Sequence, residues 1–125
     1  MNIVLPLIAL VVGFLAVYRY APAMPPGWGD FVAIAILAGF DALVGGVRAR
    51  LEKRFDEGVF VSGFFANMLV AISLAYFGDK LGVDLYLAVV VALGIRVFNN
   101  IGRIRGLVVT RRIEDRNAKA AQPSP

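Results

Sequence analysis

"GVFVSGFFANMLVAISLAYFG" fills residues 58–78 and carries no charged side chain. A helix needs about 20 apolar residues to cross ~30 Å of hydrocarbon, and this stretch supplies them. In a soluble domain, a helix apolar all round would have to be buried on every side. A chain of 125 residues has too little interior for that, because its surface is large relative to its core. Composition agrees: 59% of the residues are hydrophobic, the mean hydropathy is +0.75, and soluble domains hold only ~45–50% apolar residues.

Three further apolar runs flank this one, at residues 1–18, 31–47 and 85–102. The second holds one charge, Asp41, and the fourth holds one, Arg96. Each is near the lower length limit for a span, and flanking Tyr and Arg side chains extend it by snorkelling. The expected fold is all-α: a polytopic membrane protein with four transmembrane helices in a compact bundle. Expected helices cover about 2–19, 31–50, 58–78 and 85–112. They form one membrane domain over 1–117, and the small, polar, Pro-containing residues 118–125 are expected to be a disordered cytoplasmic tail. Ala21-Pro22-Ala23 imitates a signal-peptide cleavage site. The run before it has no basic n-region, so it reads as a helix instead. Asp30 and Asp84 are placed to cap the second and fourth helices.

Basic residues set the orientation. Arg48, Arg50, Lys53 and Arg54 lie between the second and third runs, and Arg103, Arg105, Arg111, Arg112, Arg116 and Lys119 follow the fourth. The opposite ends hold only Arg19 and Lys80. The positive-inside rule then places both termini in the cytoplasm, on the inner side of a membrane crossed several times. Tyr18, Tyr20, Trp28, Tyr76 and Tyr86 are all the Tyr and Trp of the chain, and all fall at the outer ends of the runs, as an aromatic belt does. The basic clusters, from Arg48 to Arg54 and from Arg103 to Arg116, are expected to face anionic lipid headgroups. The net charge of +4 does not point to nucleic acid, because no aromatic-basic stacking surface accompanies it.

Within the runs, polar residues recur at matched offsets. Asp41 precedes Arg48-Ala49-Arg50 by seven residues, and Arg96 precedes Arg103-Ile104-Arg105 by seven. Both helices run outside to inside, so seven residues put both charges about 10 Å from the cytoplasmic boundary. Asp41, Gly45 and Arg48 share one face, as do Arg96, Asn100 and Arg103. Asp41 and Arg96 are therefore expected to pair, with Gly45 opposite Asn100 and with Asn67, Asn99 and Asn100 filling hydrogen-bond positions around them. Two readings stay open. Intramembrane polar groups pair because nothing else satisfies them, or they mark a site for an ion, a proton or an anionic headgroup. The matched pattern also points to a two-hairpin pseudo-repeat.

No catalytic, cofactor or metal site is expected. Histidine and cysteine are both missing, which removes zinc sites, disulfides, thiolate chemistry and histidine acid–base catalysis. Ser62 and Ser73 have no general base beside them in the sequence.

Residues 60–105, "FVSGFFANMLVAISLAYFGDKLGVDLYLAVVVALGIRVFNNIGRIR", and residues 33–60, "AIAILAGFDALVGGVRARLEKRFDEGVF", resemble the small basic family of bacterial inner-membrane proteins. The motifs D-x-L-x-G-G-x-R-A, F-V-S-G-F-F and G-V-D-L-Y-L carry the likeness. Asp41, Gly45, Gly46, Arg48, Asp84 and Arg96 fall on its pattern. The resemblance implies a cell-envelope protein, often encoded beside cell-division and cell-wall genes, and it assigns no reaction. The expected function is a non-enzymatic scaffold or accessory subunit, bound to other membrane proteins or to copies of itself. The alternative is a small transporter or channel subunit built around Asp41 and Arg96.

Overall fold

A computed structural model describes residues 4–20 and 25–121. They form four helices: α1 (Val4–Tyr20), α2 (Trp28–Leu51), α3 (Glu57–Leu81) and α4 (Leu85–Ala120). Helices α2, α3 and α4 are each long and apolar enough to cross a membrane. Residues 2–3 of the expected first helix, residues 21–24 and residues 122–125 of the expected tail lie outside the described residues.

The boundaries follow from local chemistry. Asp56 accepts a hydrogen bond from the Val59 amide at 2.8 Å and caps α3, and Asp84 accepts from the Leu87 amide at 3.0 Å and caps α4. α3 ends at Gly82, whose φ of 69° is a left-handed conformation that costs glycine little. The Val83 and Gly82 amides then return to the Gly78 and Asp79 carbonyls, satisfying two groups the helix end would leave bare. α2 closes in the same way around Lys53, at φ 58°.

Three expected boundaries are corrected. α2 begins at Trp28 behind Gly27, so Asp30 lies in its first turn, not at the cap. There its charge still faces the positive end of the helix dipole. α3 continues through Asp79, Lys80 and Leu81. α4 continues past 112 and includes residues 118–120 of the expected disordered tail. No Gly or Pro interrupts residues 107–121, and Ala118, Lys119 and Ala120 are good helix formers.

The buried core belongs to three helices. Ile34 and Ala38 of α2, Ala71 and Ala75 of α3, and Val89 and Leu93 of α4 pack together. Each pair is spaced i, i+4, so each helix offers one stripe. The alanines let the backbones approach closely. α1 is not an equal member of this bundle, which corrects the compact four-helix expectation. It packs against α2, and its described side chains are exposed except for the half-buried Leu10 and Val17. An apolar groove of about 530 Å³ separates it from α3, between Gly13 and Phe14 on one wall and Phe64 and Phe65 on the other. Its small residues, Ala9, Gly13 and Ala16 at i, i+4 and i+7 spacing, do not close on a neighbouring helix: Ala9 and Gly13 line the groove instead.

Candidate functional site

α2 and α4 run side by side in the same direction. Contacts at Asp41 with Arg96, Gly45 with Asn100, and Leu51 with Arg111 advance together along both helices. The seven-residue offsets therefore do translate into equal height.

Asp41 is 1% exposed. An Arg96 Nη2 lies 3.1 Å from its Oδ2. The contact is an ion pair held by charge, since neither carboxylate oxygen accepts a hydrogen bond of good geometry. The partners are unequally placed. The Asp41 side chain is fully covered, whereas the Arg96 side chain is 54% exposed. Arg96 stands at the edge of α4 and reaches inward to the acid.

The amides do not gather around this pair as expected. Asn100 is buried and hydrogen-bonds to Arg48, whose Nη1 donates to its Oδ1 at 2.9 Å. Asn99 is exposed on the outer face of α4. It precedes Asn100 by one residue, about 100° of helical rotation, so both amides cannot face α2. Asn67 shares a cleft of about 320 Å³ with Arg96, between α3 and α4, without a hydrogen bond to it.

Arg48 also departs from expectation. It is expected among the lipid-facing bases, but its side chain is only 22% exposed and its Nε donates to Glu52 Oε1 at 2.9 Å. Arg54 pairs with the same carboxylate from the far side. Arg111 reaches back from α4 to donate to the Leu51 carbonyl at the end of α2. Arg48, Glu52 and Asn100 thus form a second polar tie between α2 and α4, one turn nearer the basic end. Four-residue spacing from Arg48 to Glu52 at the close of a helix is the sequence signal for this pair.

Glu52 sits at the end of α2, and the hydrogen bond from Arg48 holds its carboxyl below the ordinary value of 4.5. A depressed folded-state value stabilises the fold above the unfolded value and loses that contribution as pH falls through it. Stability should therefore drop as pH falls through about 4.5 and below, and Glu52→Gln should flatten that part of the profile. Unfolding titrations in detergent at stepped pH check this, with Glu52→Gln as the comparison.

Small residues control the approach of the helices. Gly45 faces Asn100, and a Cβ there would stand 3.6 Å from Nδ2, an ordinary contact. The demanding position is its neighbour. A Cβ on Gly46 would come within 2.7 Å of the Phe60 ring, which closes α3 onto α2.

The two ends of the core differ in sign. At the end holding Gly27, Gly78 and Tyr86, a cleft of about 470 Å³ is lined by Asp30, Asp79 and Asp84. No group of three or more His, Cys, Asp or Glu able to hold a metal occurs among the described residues. At the other end a polar cleft of about 760 Å³ runs along α4, lined by Arg48, Arg96, Arg103, Asn99 and Asn100, with Gly45 on its wall.

Residues 24–109 match the model of a family described as "Protein of unknown function (DUF1290)". The chain belongs to this family. The matched region contains the three-helix core and both ties between α2 and α4, and α1 lies outside it. The DUF1290 chain is also 46% identical over 107 residues to the "Small basic protein" of Bacillus subtilis (strain 168), covering 86% of this chain and 88% of that one. It is 43% identical over 99 residues to an uncharacterised protein of Mycobacterium tuberculosis (strain ATCC 25618 / H37Rv), covering 78% and 82%. An uncharacterised protein of Mycobacterium bovis (strain ATCC BAA-935 / AF2122/97) matches at the same 43% over 99 residues. No solved structure matches the chain.

Proposed function

We propose that this protein is a four-span component of the bacterial cell membrane, with both termini cytoplasmic. In this reading it is a non-enzymatic scaffold or accessory subunit of the cell envelope. The carrying observation is the mismatch between apolar composition and apolar burial. Phe65, Leu69, Phe77, Phe98 and Trp28 are each at least 58% exposed, and a surface of this kind needs lipid or a protein partner over it. The basic residues support the orientation: arginines gather at one end of α2 and α4, and Arg19 and Lys80 alone stand near the other. α1 spans about 26 Å by its 17 residues, short of ~30 Å of hydrocarbon, and Arg19 and the tyrosines beside it extend its reach.

The scaffold reading rests on how the polar groups are used. Asp41, Arg48, Glu52 and Asn100 bind α2 to α4 and so act within the protein. The exposed faces of α1 and α3 then remain for other membrane proteins or a second copy. A place near cell division or wall synthesis rests on the resemblance to the small basic family alone. The alternative, a small transporter or channel subunit, draws on the cleft that opens beside Arg96.

The chain has no cysteine, so single-cysteine labelling is clean. A cysteine at Gly27 should react with an impermeant thiol reagent added outside intact cells, and one at Ser124 should react only after lysis. The reverse pattern would reject the orientation. A photo-crosslinker at Gly63, where an added Cβ meets nothing within 4 Å, should form one recurrent protein adduct in the native membrane. Lipid adducts alone at Gly63, together with solute flux in proteoliposomes, would favour transport instead.

A further inference from the structure

We propose that the polar cleft along α4 binds the phosphodiester of an anionic phospholipid, with an acyl chain lying on the adjacent apolar face of the same helix. The inference rests on the membrane placement proposed above and adds a defined site to it.

Three guanidinium groups line the cleft, from Arg48, Arg96 and Arg103, with the Asn99 amide and no carboxylate among its lining residues. Two of these cations are already matched within the protein, Arg96 by Asp41 and Arg48 by Glu52. Arg103 has no acidic partner among the described residues. Glu52 is shared with Arg54, so the cleft holds at least one positive charge in excess, which suits an anionic headgroup. Arginine suits phosphate in particular, because its planar fork of N–H donors matches two phosphate oxygens at once. Arg96 spends one nitrogen on Asp41 and remains half exposed, so its other N–H groups are free to face the cleft.

The surroundings select a lipid over a free ion. Val91, Ile95 and Phe98 lie on the face of α4 that leads away from Arg103, spaced i, i+4 and i+7. They are 51%, 56% and 77% exposed. Gly94, within that stretch, has no neighbouring atom within 4 Å of where a Cβ would stand, so nothing of the protein covers the helix there. Arg103 lies seven residues toward the basic end from Arg96, about 10 Å along the helix. A headgroup seated between them would run its chain along Phe98, Ile95 and Val91 toward the membrane interior. A free phosphate would leave this apolar face uncovered.

The test uses the full-length protein reconstituted in phosphatidylcholine bilayers. A photoactivatable phosphatidylglycerol is added at trace level, and labelled peptides are mapped by mass spectrometry. Label should concentrate on residues 91–103, about tenfold above that from the matching photoactivatable phosphatidylcholine, the factor a charge-assisted contact supplies. Arg103→Gln should lower the preference about tenfold, and Arg103→Lys should restore part of it, keeping the charge without the fork. Neutralising Arg112 and Arg116 together should leave it in place. Equal labelling by both lipids on the unmodified protein would overturn the proposal without relying on any variant. So would loss of preference in the tail variant but not in Arg103→Gln. Displacement of the label by excess inorganic phosphate would assign the cleft to a free ion and overturn the lipid. Failure of the protein to enter the bilayer would instead reject the membrane placement, which separates the two failures.

Discussion

Arg96→Met should destabilise the helical core by about 3–5 kcal/mol, the usual cost of leaving a buried charge without its partner. Asp41 is the member with no escape. Its side chain is fully covered, no hydrogen bond holds either oxygen, and Arg96 is the group that offsets its charge. Asp41→Asn should cost less, because the Arg96 side chain is 54% exposed and its long stem can carry the guanidinium toward the basic end. Helix pairing alone would predict the same loss from either side, so the unequal burial is what ranks them. Replacing both, with Asp41→Leu and Arg96→Met, should return most of the stability, since a well-packed apolar pair can match a buried ion pair. Unfolding in mixed micelles by increasing denaturing detergent, with helicity followed by circular dichroism, gives all three values. Equal losses for the two single variants would contradict the ranking by burial, and a double variant no better than Arg96→Met would contradict the ion pair as the tie between α2 and α4.

The second large effect is expected at Gly78. A Cβ there would lie 2.7 Å from Leu85 Cβ and 2.7 Å from the Val83 carbonyl oxygen. Neither atom is the free end of a flexible side chain. Both belong to the turn that Gly82 and the Asp84 cap hold between α3 and α4. Gly78→Ala should therefore cost about 1–3 kcal/mol by overpacking, even though alanine is better than glycine in a helix by up to ~1 kcal/mol. Gly45→Ala provides the contrast. Its added methyl would meet Asn100 Nδ2 at an ordinary 3.6 Å, so helix propensity should win and stability should hold or rise slightly. The same micelle titration separates them, and a Gly78→Ala protein as stable as Gly45→Ala would show that the turn yields.

Much of this arrangement could be read from one dimension. Charge-free residues 58–78 demanded a helix long enough to span a membrane. Asp56 and Asp84, standing just before apolar runs, are residues that cap helices by short-range hydrogen bonds. The pairing of Asp41 with Arg96 was legible because helical rise is constant. Equal offsets to an Arg-x-Arg boundary on two parallel helices mean equal height, and opposite charges at equal height in an apolar setting attract.

Only the tertiary structure decided which way each polar side chain turns and how the helices share the core. Height along a helix is set by residue number, but rotation about its axis is set by what the neighbouring helices bury. That rotation sends Asn100 inward to Arg48 and leaves Asn99 outside, although the two are adjacent in sequence. It turns Arg48 from an expected lipid contact into a tie with Glu52, and it places Arg96 at the rim with Asp41 beneath it. Helix α1 shows the same division. Its apolarity follows from composition, yet its position beside α2, away from the three-helix core, follows from packing. α2, α3 and α4 interlock through alanines and spaced aliphatic side chains, whereas α1's own small residues, Ala9 and Gly13, line an open groove, so a small-residue stripe does not by itself decide which helices close on one another.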